Sequence, residues 1–414
     1  MKILFLAYAC EPERGSELGV GWKWPLYLSA DKNKDIYVIT RANNRKKIED
    51  YWRKNSCPDN LHFFYYDLPN VMLWAKKHGL SVNIYYALWL LGSCSYAQKL
   101  HEKYHFDMAH HITFGVFRDA SALYKLQIPY VVGPVGGGET TPKGLLALFS
   151  LKEQLKETIR SMANAFAFIN PLFYLNFNRA SLILSKTEDT KRVLKRWKDK
   201  TLVRLEIGIN EVLEDKDSSV RKENSFLYVG RFTYWKGYQL TLMAFQKYAK
   251  KHPSSTLKMI GRGDIDAIKA FAEKHNLQNH IEVIPWIEQS ELKKYYSSSS
   301  AMVFPSMHDS SGNVVLEALS YGLPVICLDC GGPASVLGKE LGDLTIQTKD
   351  KSIEEIINGL VSKMEVLNGN DAYAISVREK CLYRAKQKLW KEMIPKAYDE
   401  ITDRLFNCKE NETL

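Results

Sequence analysis

Asp309 and Glu317 stand in the run Pro305 to Pro324, PSMHDSSGNVVLEALSYGLP, separated mostly by small residues. The apolar run before it fits a buried strand, and Gly312-Asn313 reads as a turn that opens a helix over Val314 to Ser320. Amides at a helix start lack intrahelical partners, so those of Ser311, Gly312, Asn313 and Val314 suit an anion. Asp309, in the loop, is placed to accept hydrogen bonds from sugar hydroxyls. Glu317, further along the helix, is placed to hold a ribose diol. Together they outline a site for a sugar joined to a nucleoside diphosphate.

A second cluster agrees with it. Phe226 to Val229 reads as a strand running into GRFTYWKG, where Gly230 allows close backbone approach and Arg231 and Lys236 flank a turn. Arginine contacts phosphate oxygens through a planar fork and lysine acts as a point charge, so the pair suits a departing diphosphate. Leu257 to Ile260 is a short apolar strand ended by Gly261-Arg262-Gly263-Asp264, a strand end open to a base or ribose.

These motifs carry a resemblance. The chain resembles glycosyltransferase family 4 (group 1), the retaining GT-B glycosyltransferases that include bacterial capsule, exopolysaccharide and lipopolysaccharide enzymes. The family pattern reads here as Gly230-Arg231, Lys236-Gly237, Pro305-Ser306, Asp309, Glu317-Ala318 and Gly322-Leu323-Pro324-Val325-Ile326. Two departures stand out. The family's usual first Glu is Asp309, whose shorter arm bears on how the donor sugar is held, and Pro285 replaces a usual glycine in the Pro285-Trp286-Ile287 loop. The resemblance implies an α/β protein of GT-B fold: two doubly wound Rossmann-like domains facing a central cleft, with a C-terminal helix crossing back to the first. It also implies that Arg262, Trp286 and Ile287 take part in base selection.

The first half supplies further candidates. Gly15-Ser16, after the first strand, resembles the family's glycine-rich loop below the donor phosphates. A second glycine run, Gly133-Pro-Val-Gly-Gly-Gly-Glu139, ends a strand, and from it Gly137, Gly138 and Glu139 are expected on the acceptor or sugar side. His110 and His111 also end a strand, where parallel sheets place ligands. Alternation sends them to opposite faces; His110 is the preferred cleft histidine, orienting the sugar, and His111 the alternative. Arg118, shortly after, is a candidate for steadying phosphate or acceptor.

The reaction so implied is transfer of a glycosyl unit from a nucleoside diphosphate sugar to an acceptor hydroxyl with retention. Arg231 and Lys236 would stabilise charge on the leaving phosphate, which itself takes the acceptor proton. No Asp-x-Asp metal motif stands in these segments, so no metal or other cofactor is expected. The rival readings are a GT-B sugar-nucleotide epimerase and a non-catalytic nucleotide-sugar-binding subunit.

Strands and helices alternate along the chain. Ile3 to Tyr8, Ile36 to Thr40, His62 to Tyr66, Met108 to Ile112, Tyr130 to Gly133 and Leu182 to Ser185 read as strands of a first block. Phe226 to Val229, Leu257 to Ile260, Ile281 to Ile284, Ala301 to Phe304 and Pro324 to Leu328 form a second. Such alternation marks parallel sheets. The expected domains are residues 1–210, on the acceptor side, 211–388, binding the nucleotide sugar, and a terminal helix in 389–414. The boundary is expected near Ile209 to Ser225, where charged and small polar residues replace apolar ones. Trp390, Ile394, Tyr398, Ile401 and Leu405 recur at helical spacing.

A chain of 414 residues is long enough for two cores. Its seven cysteines are scattered and odd in number, against a secreted disulfide framework, and Cys327-Leu-Asp-Cys330 reads as packing at a strand end. The amino end reads as a first strand, with no signal peptide, and no apolar run approaches a membrane span, so a cytoplasmic protein is expected. Residues 1–210 hold 30 Lys and Arg against 19 Asp and Glu, leaving 27 against 28 in the rest. Within the basic half, Leu68 to Tyr104 and Lys143 to Arg179 interleave Trp74, Lys76, Lys77, Lys152, Lys156 and Arg160 with apolar residues. That pattern suits either helices packed on their own sheet or peripheral contact with an anionic membrane. The expected partners are therefore a nucleotide-sugar donor, a saccharide or lipid-linked saccharide acceptor and the membrane surface, with no nucleic acid.

Overall fold

The computed structural model describes residues 1–212, 221–369 and 371–407, which fall into two compact units. Part of the expected linker, Ile209 to Ser225, and Cys408 lie outside the described residues.

The first unit is built on a seven-stranded parallel sheet in the order β3-β2-β1-β4-β5-β6-β7. Its strands are β1 (Lys2–Leu6), β2 (Asp35–Thr40), β3 (Leu61–Tyr65), β4 (Met108–His111), β5 (Tyr130–Val135), β6 (Leu182–Ser185) and β7 (Thr201–Val203). Register pairs Ile3 with Ile36 on one side and Phe5 with His110 on the other. Strand side chains alternate between faces, and β1 shows it: Ile3 and Phe5 enter one core while Leu4 and Leu6 enter another. The Ile3 face is covered by the helices Ser16–Leu28 and Trp390–Thr402, the latter burying Trp390, Ile394, Tyr398 and Ile401 along one stripe. The C-terminal helix therefore belongs to the first unit's core. The Leu4 face is covered by the long helix Val82–Tyr104, through Tyr85, Tyr86, Trp89 and Leu90.

The second unit has a six-stranded parallel sheet in the order β10-β9-β8-β11-β12-β13. Its strands are β8 (Ser225–Val229), β9 (Thr256–Ile260), β10 (Ile281–Ile284), β11 (Ala301–Val303), β12 (Val325–Leu328) and β13 (Thr345–Ile346). In each sheet the order reverses once, between β1 and β4 and between β8 and β11, the crevice where open parallel sheets take ligands.

Chain assignment brings one correction. The segment Glu139–Arg160, expected within the first domain, clusters with the second unit, whose remaining described residues run between Gly208 and Leu389. The cause is side-chain packing: Phe149 meets Tyr234 edge-on at 4.8 Å, and Glu157 hydrogen-bonds both Tyr234 and His308.

Candidate functional site

In the second unit, motifs far apart in sequence meet. Gly237 adopts φ 72°, and a Cβ there would lie 2.0 Å from the Pro305 carbonyl oxygen, so only glycine lets the two loops touch. The Met307 amide donates to the Trp235 carbonyl at 2.8 Å, and the Tyr228 hydroxyl donates to the carbonyls of Arg231 and Lys236. This lacing holds Lys236 against Asp309, Nζ to Oδ2 2.5 Å. Burial, the largest influence, pushes the Asp309 carboxyl up, but the Lys236 charge and hydrogen bond and the Ser311 amide outweigh it and leave Asp309 lowered and ionised.

Arg231 is exposed, with its guanidinium 5.9 Å from the Trp235 ring centroid, and it makes no ion pair among the described residues. The helix Asn313–Ser320 starts from Gly312 at φ 79°, with no side chain capping it. The first-turn amides of Asn313 and Val314 are thus directed to an outside acceptor. Ser311 is steadied by Asp309, its amide lying 3.4 Å from Oδ1. Glu317 is half-buried, accepting from Gln289 Nε2 at 3.1 Å and from the Tyr296 hydroxyl at 3.4 Å. At the ends of β8 and β9, the space beside Gly261 is filled by the Gly230 carbonyl. The Arg262 guanidinium lies over the half-exposed Trp286 ring at 4.7 Å, with Ile287 next in the chain. Such a cation on an indole face presents a flat surface to a base.

Two features of this region escaped the sequence. Gly332 donates its amide to the Asp309 carbonyl at 2.6 Å and Gly331 lies against the same oxygen, so the pair backs the Asp309 loop. The other is a carboxylate–imidazole contact, His308 Nε2 to Glu157 Oε1 at 3.1 Å, with Tyr234 donating to the same oxygen at 3.0 Å and Thr141 to Oε2 at 3.1 Å. The His308 ring stacks on Trp235 at 5.7 Å. Burial alone would raise Glu157, but the His308 and Tyr234 hydrogen bonds and Arg160 pull it down to about 2. Cys327, by contrast, is a buried thiol pushed up by desolvation, and Cys330 donates to the Met307 carbonyl at 3.4 Å, so the two are not joined in a disulfide.

The first unit overturns the preferred histidine. His110 is fully buried among Phe5, Trp24 and Tyr398. Its Nε2 lies 2.7 Å from the Gly133 carbonyl and its Nδ1 2.5 Å from the Tyr398 hydroxyl. Since a carbonyl only accepts, Nε2 carries the proton and Nδ1 accepts from the tyrosine. Desolvation lowers His110 to about 3, so it is a neutral core residue with no nitrogen left for a sugar. His111 faces the other way, its Nε2 2.9 Å from the Tyr86 hydroxyl, and burial lowers it to about 4.

The glycine run is likewise tied inward. The Gly138 amide donates to Thr190 Oγ1, the Gly137 carbonyl accepts from Asn164, and Glu139 is buried with its carbonyl held by Arg160. Arg118 donates to Asn164 as well. Its neighbour Asp119 is pushed up to about 6 by burial, a carboxyl poised to titrate that the sequence did not single out. Gly15 is exposed with open space around it, and Ser16 sits at φ 54° at the start of the first helix. The next residue, Glu17, pairs with Lys186 at 2.9 Å and accepts from the Phe114 amide at 3.0 Å. Lys186 is buried between Glu17 and Glu206, the latter at 2.8 Å.

Residues 210–375 match the family model described as glycosyl transferases group 1. Over its full length the chain is similar to the solved structure of Anabaena HepE in complex with UDP, with a TM-score of 0.60, 14% identity and coverage of 98% of this chain and 100% of that one. The fold is GT-B. Among curated relatives, the GT-B chain is 30% identical over 180 residues to an uncharacterized glycosyltransferase of Methanocaldococcus jannaschii, covering 40% of this chain and 44% of that protein. It is 29% identical over 160 residues to the amylovoran biosynthesis glycosyltransferase AmsD of Erwinia amylovora, covering 38% and 44%. The GT-B chain spans about half the length, or less, of the curated relatives it matches.

Proposed function

We propose that this GT-B protein transfers a glycosyl unit from a nucleoside diphosphate sugar to an acceptor hydroxyl with retention at the anomeric carbon, in capsule, exopolysaccharide or lipopolysaccharide synthesis. The observation that carries the reading is the Lys236–Asp309 pair beside the unpaired Arg231 and the uncapped start of Asn313–Ser320. Two cations against one carboxylate leave a positive charge for a diphosphate, and the match of residues 210–375 to the group 1 model supports it. The UDP in HepE supports a uridine nucleotide as the first donor to try. AmsD's part in amylovoran synthesis supports the polysaccharide setting.

In the proposed reaction the bond from the anomeric carbon to the leaving phosphate oxygen breaks as the acceptor oxygen bonds to the same face. The acceptor proton passes to the departing phosphate. Arg231 and Lys236 take up the charge that develops there, Asp309 holds the donor sugar, and Glu317 holds the ribose. Front-face transfer of this kind asks for no pair of carboxylates across the reacting carbon. It is proposed to proceed without metal, and activity abolished by chelator and restored by magnesium would overturn that part.

Peripheral membrane contact on the cytoplasmic side belongs to the same proposal. Among the described residues no helix is long and apolar enough to cross a membrane. The helix Leu151–Ala167 exposes Leu151, Leu155, Ile159, Met162 and Phe166 at helical spacing, with exposed Lys152 and Lys156 beside them. Flotation with anionic liposomes at low salt tests it, and absence of binding discards it.

The transferase itself is tested by incubating purified protein with a panel of nucleotide sugars and following nucleotide release and anomeric products by NMR. Slow release of one nucleoside diphosphate with an α-configured donor giving an α-configured product supports the reading. Interconversion of two donors replaces it with an epimerase, and saturable binding without turnover, even with crude lipid acceptor, replaces it with a binding subunit.

A further inference from the structure

The first part of the helix Leu151–Ala167 is inverted. It exposes Leu151, Leu155 and Ile159 and turns Gln154, Glu157 and Arg160 inward, where a surface helix ordinarily places its apolar stripe. Gln154 donates to the Phe149 carbonyl and Arg160 to the Glu139 carbonyl. Glu157 is the most deeply buried of the three, with 8% of the residue exposed. A carboxylate is seldom buried without partners, so those of Glu157 carry the reason for its place.

They lie on the two loops that bear the Lys236–Asp309 pair. Oε1 of Glu157 accepts from the Tyr234 hydroxyl at 3.0 Å and lies 3.1 Å from His308 Nε2. Oε2 accepts from Thr141 Oγ1 at 3.1 Å and lies 3.7 Å from Arg160 Nη1. Tyr234 opens the short turn that ends in Lys236, and His308 immediately precedes Asp309. One oxygen therefore ties both loops, next to the cation of the pair on one side and next to its carboxylate on the other. Tyr234 stays a donor, since burial and the Glu157 charge push its hydroxyl up to about 12. The His308 ring stacks on Trp235, and the Arg231 guanidinium lies 5.9 Å from the centroid of the same indole, so the tie reaches the second cation as well.

Backbone contacts alone bring the loops together, through the Met307 amide on the Trp235 carbonyl and Gly237 against Pro305. They do not fix the side chains that meet there. The turn Tyr234–Lys236 is a single stretch of 3-10 helix with no side-chain cap, a conformation whose hydrogen bonds are poorly aligned. A buried carboxylate whose donors come from separate parts of the chain is satisfied in one arrangement, and a satisfied buried network stiffens what it joins. An apolar residue would fill the same space without that directional demand.

We propose that Glu157 is a positioning residue for the diphosphate site, holding Tyr234 and His308 so that Lys236 and Asp309 meet the donor in one geometry. This rests on the glycosyltransferase reading and adds to it a residue that acts through the two loops and not on the donor itself.

Calorimetric titration with UDP, GDP, ADP and dTDP, then with the nucleoside of whichever binds most tightly, tests it. Glu157→Ala should weaken that diphosphate about tenfold and leave the nucleoside unchanged, because Arg262, Trp286 and Glu317, assigned to base and ribose, lie outside the tied loops. In a protein already carrying Lys236→Ala, Glu157→Ala should add nothing, as expected of residues that act as one unit. Glu157→Gln, which keeps the oxygen shared by Tyr234 and His308, should restore most of the affinity. Tyr234→Phe keeps the ring against Phe149, removes one donor and should weaken the diphosphate about threefold, again with the nucleoside unchanged. It gives the result where circular dichroism shows Glu157→Ala unfolded. Equal weakening of diphosphate and nucleoside, or effects of Glu157→Ala and Lys236→Ala that add, make Glu157 a packing residue and overturn the proposal. A diphosphate affinity indifferent to both Glu157→Ala and Tyr234→Phe also overturns it. Where the parental protein binds none of the four diphosphates, the transferase reading falls and this inference with it; diphosphate binding that ignores Glu157 defeats this inference alone.

Discussion

Lys186 and Lys236 are both lysines held by carboxylates near the carboxyl end of a parallel strand, one in each unit, and they do opposite work. Lys186 is enclosed by two carboxylates, Glu17 and Glu206, with its side chain 5% exposed. Lys236 has one carboxylate, Asp309, and Arg231, on the same loop, makes no ion pair among the described residues. The first arrangement is closed and leaves no positive charge over; the second leaves one, which the proposed function gives to the donor's diphosphate. The same type of residue at the same kind of position is structural or chemical according to the charge count around it. A basic side chain at a strand end is therefore informative only once its partners are known.

The contrast can be broken from either side. The largest expected effect is Lys186→Ala, which leaves the buried Glu206 and the partly exposed Glu17 without their cation and should cost about 3–5 kcal/mol of stability by denaturant titration. Loss of turnover with unchanged stability would instead place Lys186 in the chemistry. In the second unit, Arg231→Ala or Lys236→Ala should lower turnover about 100-fold or more, by analogy with removal of one preorganised donor, while nucleotide release from the best donor is followed. Near-parental turnover in either would remove the phosphate assignment. A smaller effect is expected from Tyr398→Phe, which strips the donor from His110 Nδ1 and should cost about 1–3 kcal/mol of stability with no change in the apparent affinity for donor.

Acid should separate the units in order. His110 and His111 are lowered to about 3 and 4 from an ordinary 6.5, so the unfolded chain binds more protons and their contribution, whole above 6.5, is lost as pH falls toward those values. Glu157, lowered to about 2 from 4.5, contributes fully above 4.5 and is lost only as pH falls from there toward 2. Limited proteolysis across a pH series, with fragments identified by mass, should show the first unit opening at the higher pH. Glu157→Gln should flatten only the second unit's lower window. Simultaneous opening of both units near pH 6 would contradict the assignment.

The strands were legible because buried parallel strands are continuous apolar runs, and every strand expected from the sequence is present to within a few residues. Thr201–Val203 and Thr345–Ile346 were not, since three and two residues carry no pattern of their own. The donor-side motifs were legible because Gly237 against Pro305 and Lys236 against Asp309 are close contacts that tightly constrain residue type. Alternation established that His110 and His111 point apart but not which face was which. That depended on Tyr398, 288 residues away. Glu157 and His308 are separated by 151 residues; Glu157 stands in no motif, and His308 sits inside the Pro305 to Pro324 run without being one of the residues its pattern picks out. Lys186 was an ordinary lysine until its partners were seen.

The inclusion of Glu139–Arg160 in the second unit means that this unit is not a continuous stretch of chain. The polypeptide leaves the first unit at Gly138, returns at Ser161, leaves again after Ile207 and comes back at Trp390. A polypeptide cut to run from Gly208 to Leu389 would carry the motifs from Gly230 to Ile326 and still lack Glu157, leaving Tyr234 and His308 without the carboxylate they share. The natural boundaries of the second unit are thus set by a borrowed segment, Glu139–Arg160. Any exchange of this unit between related chains must carry that segment with it.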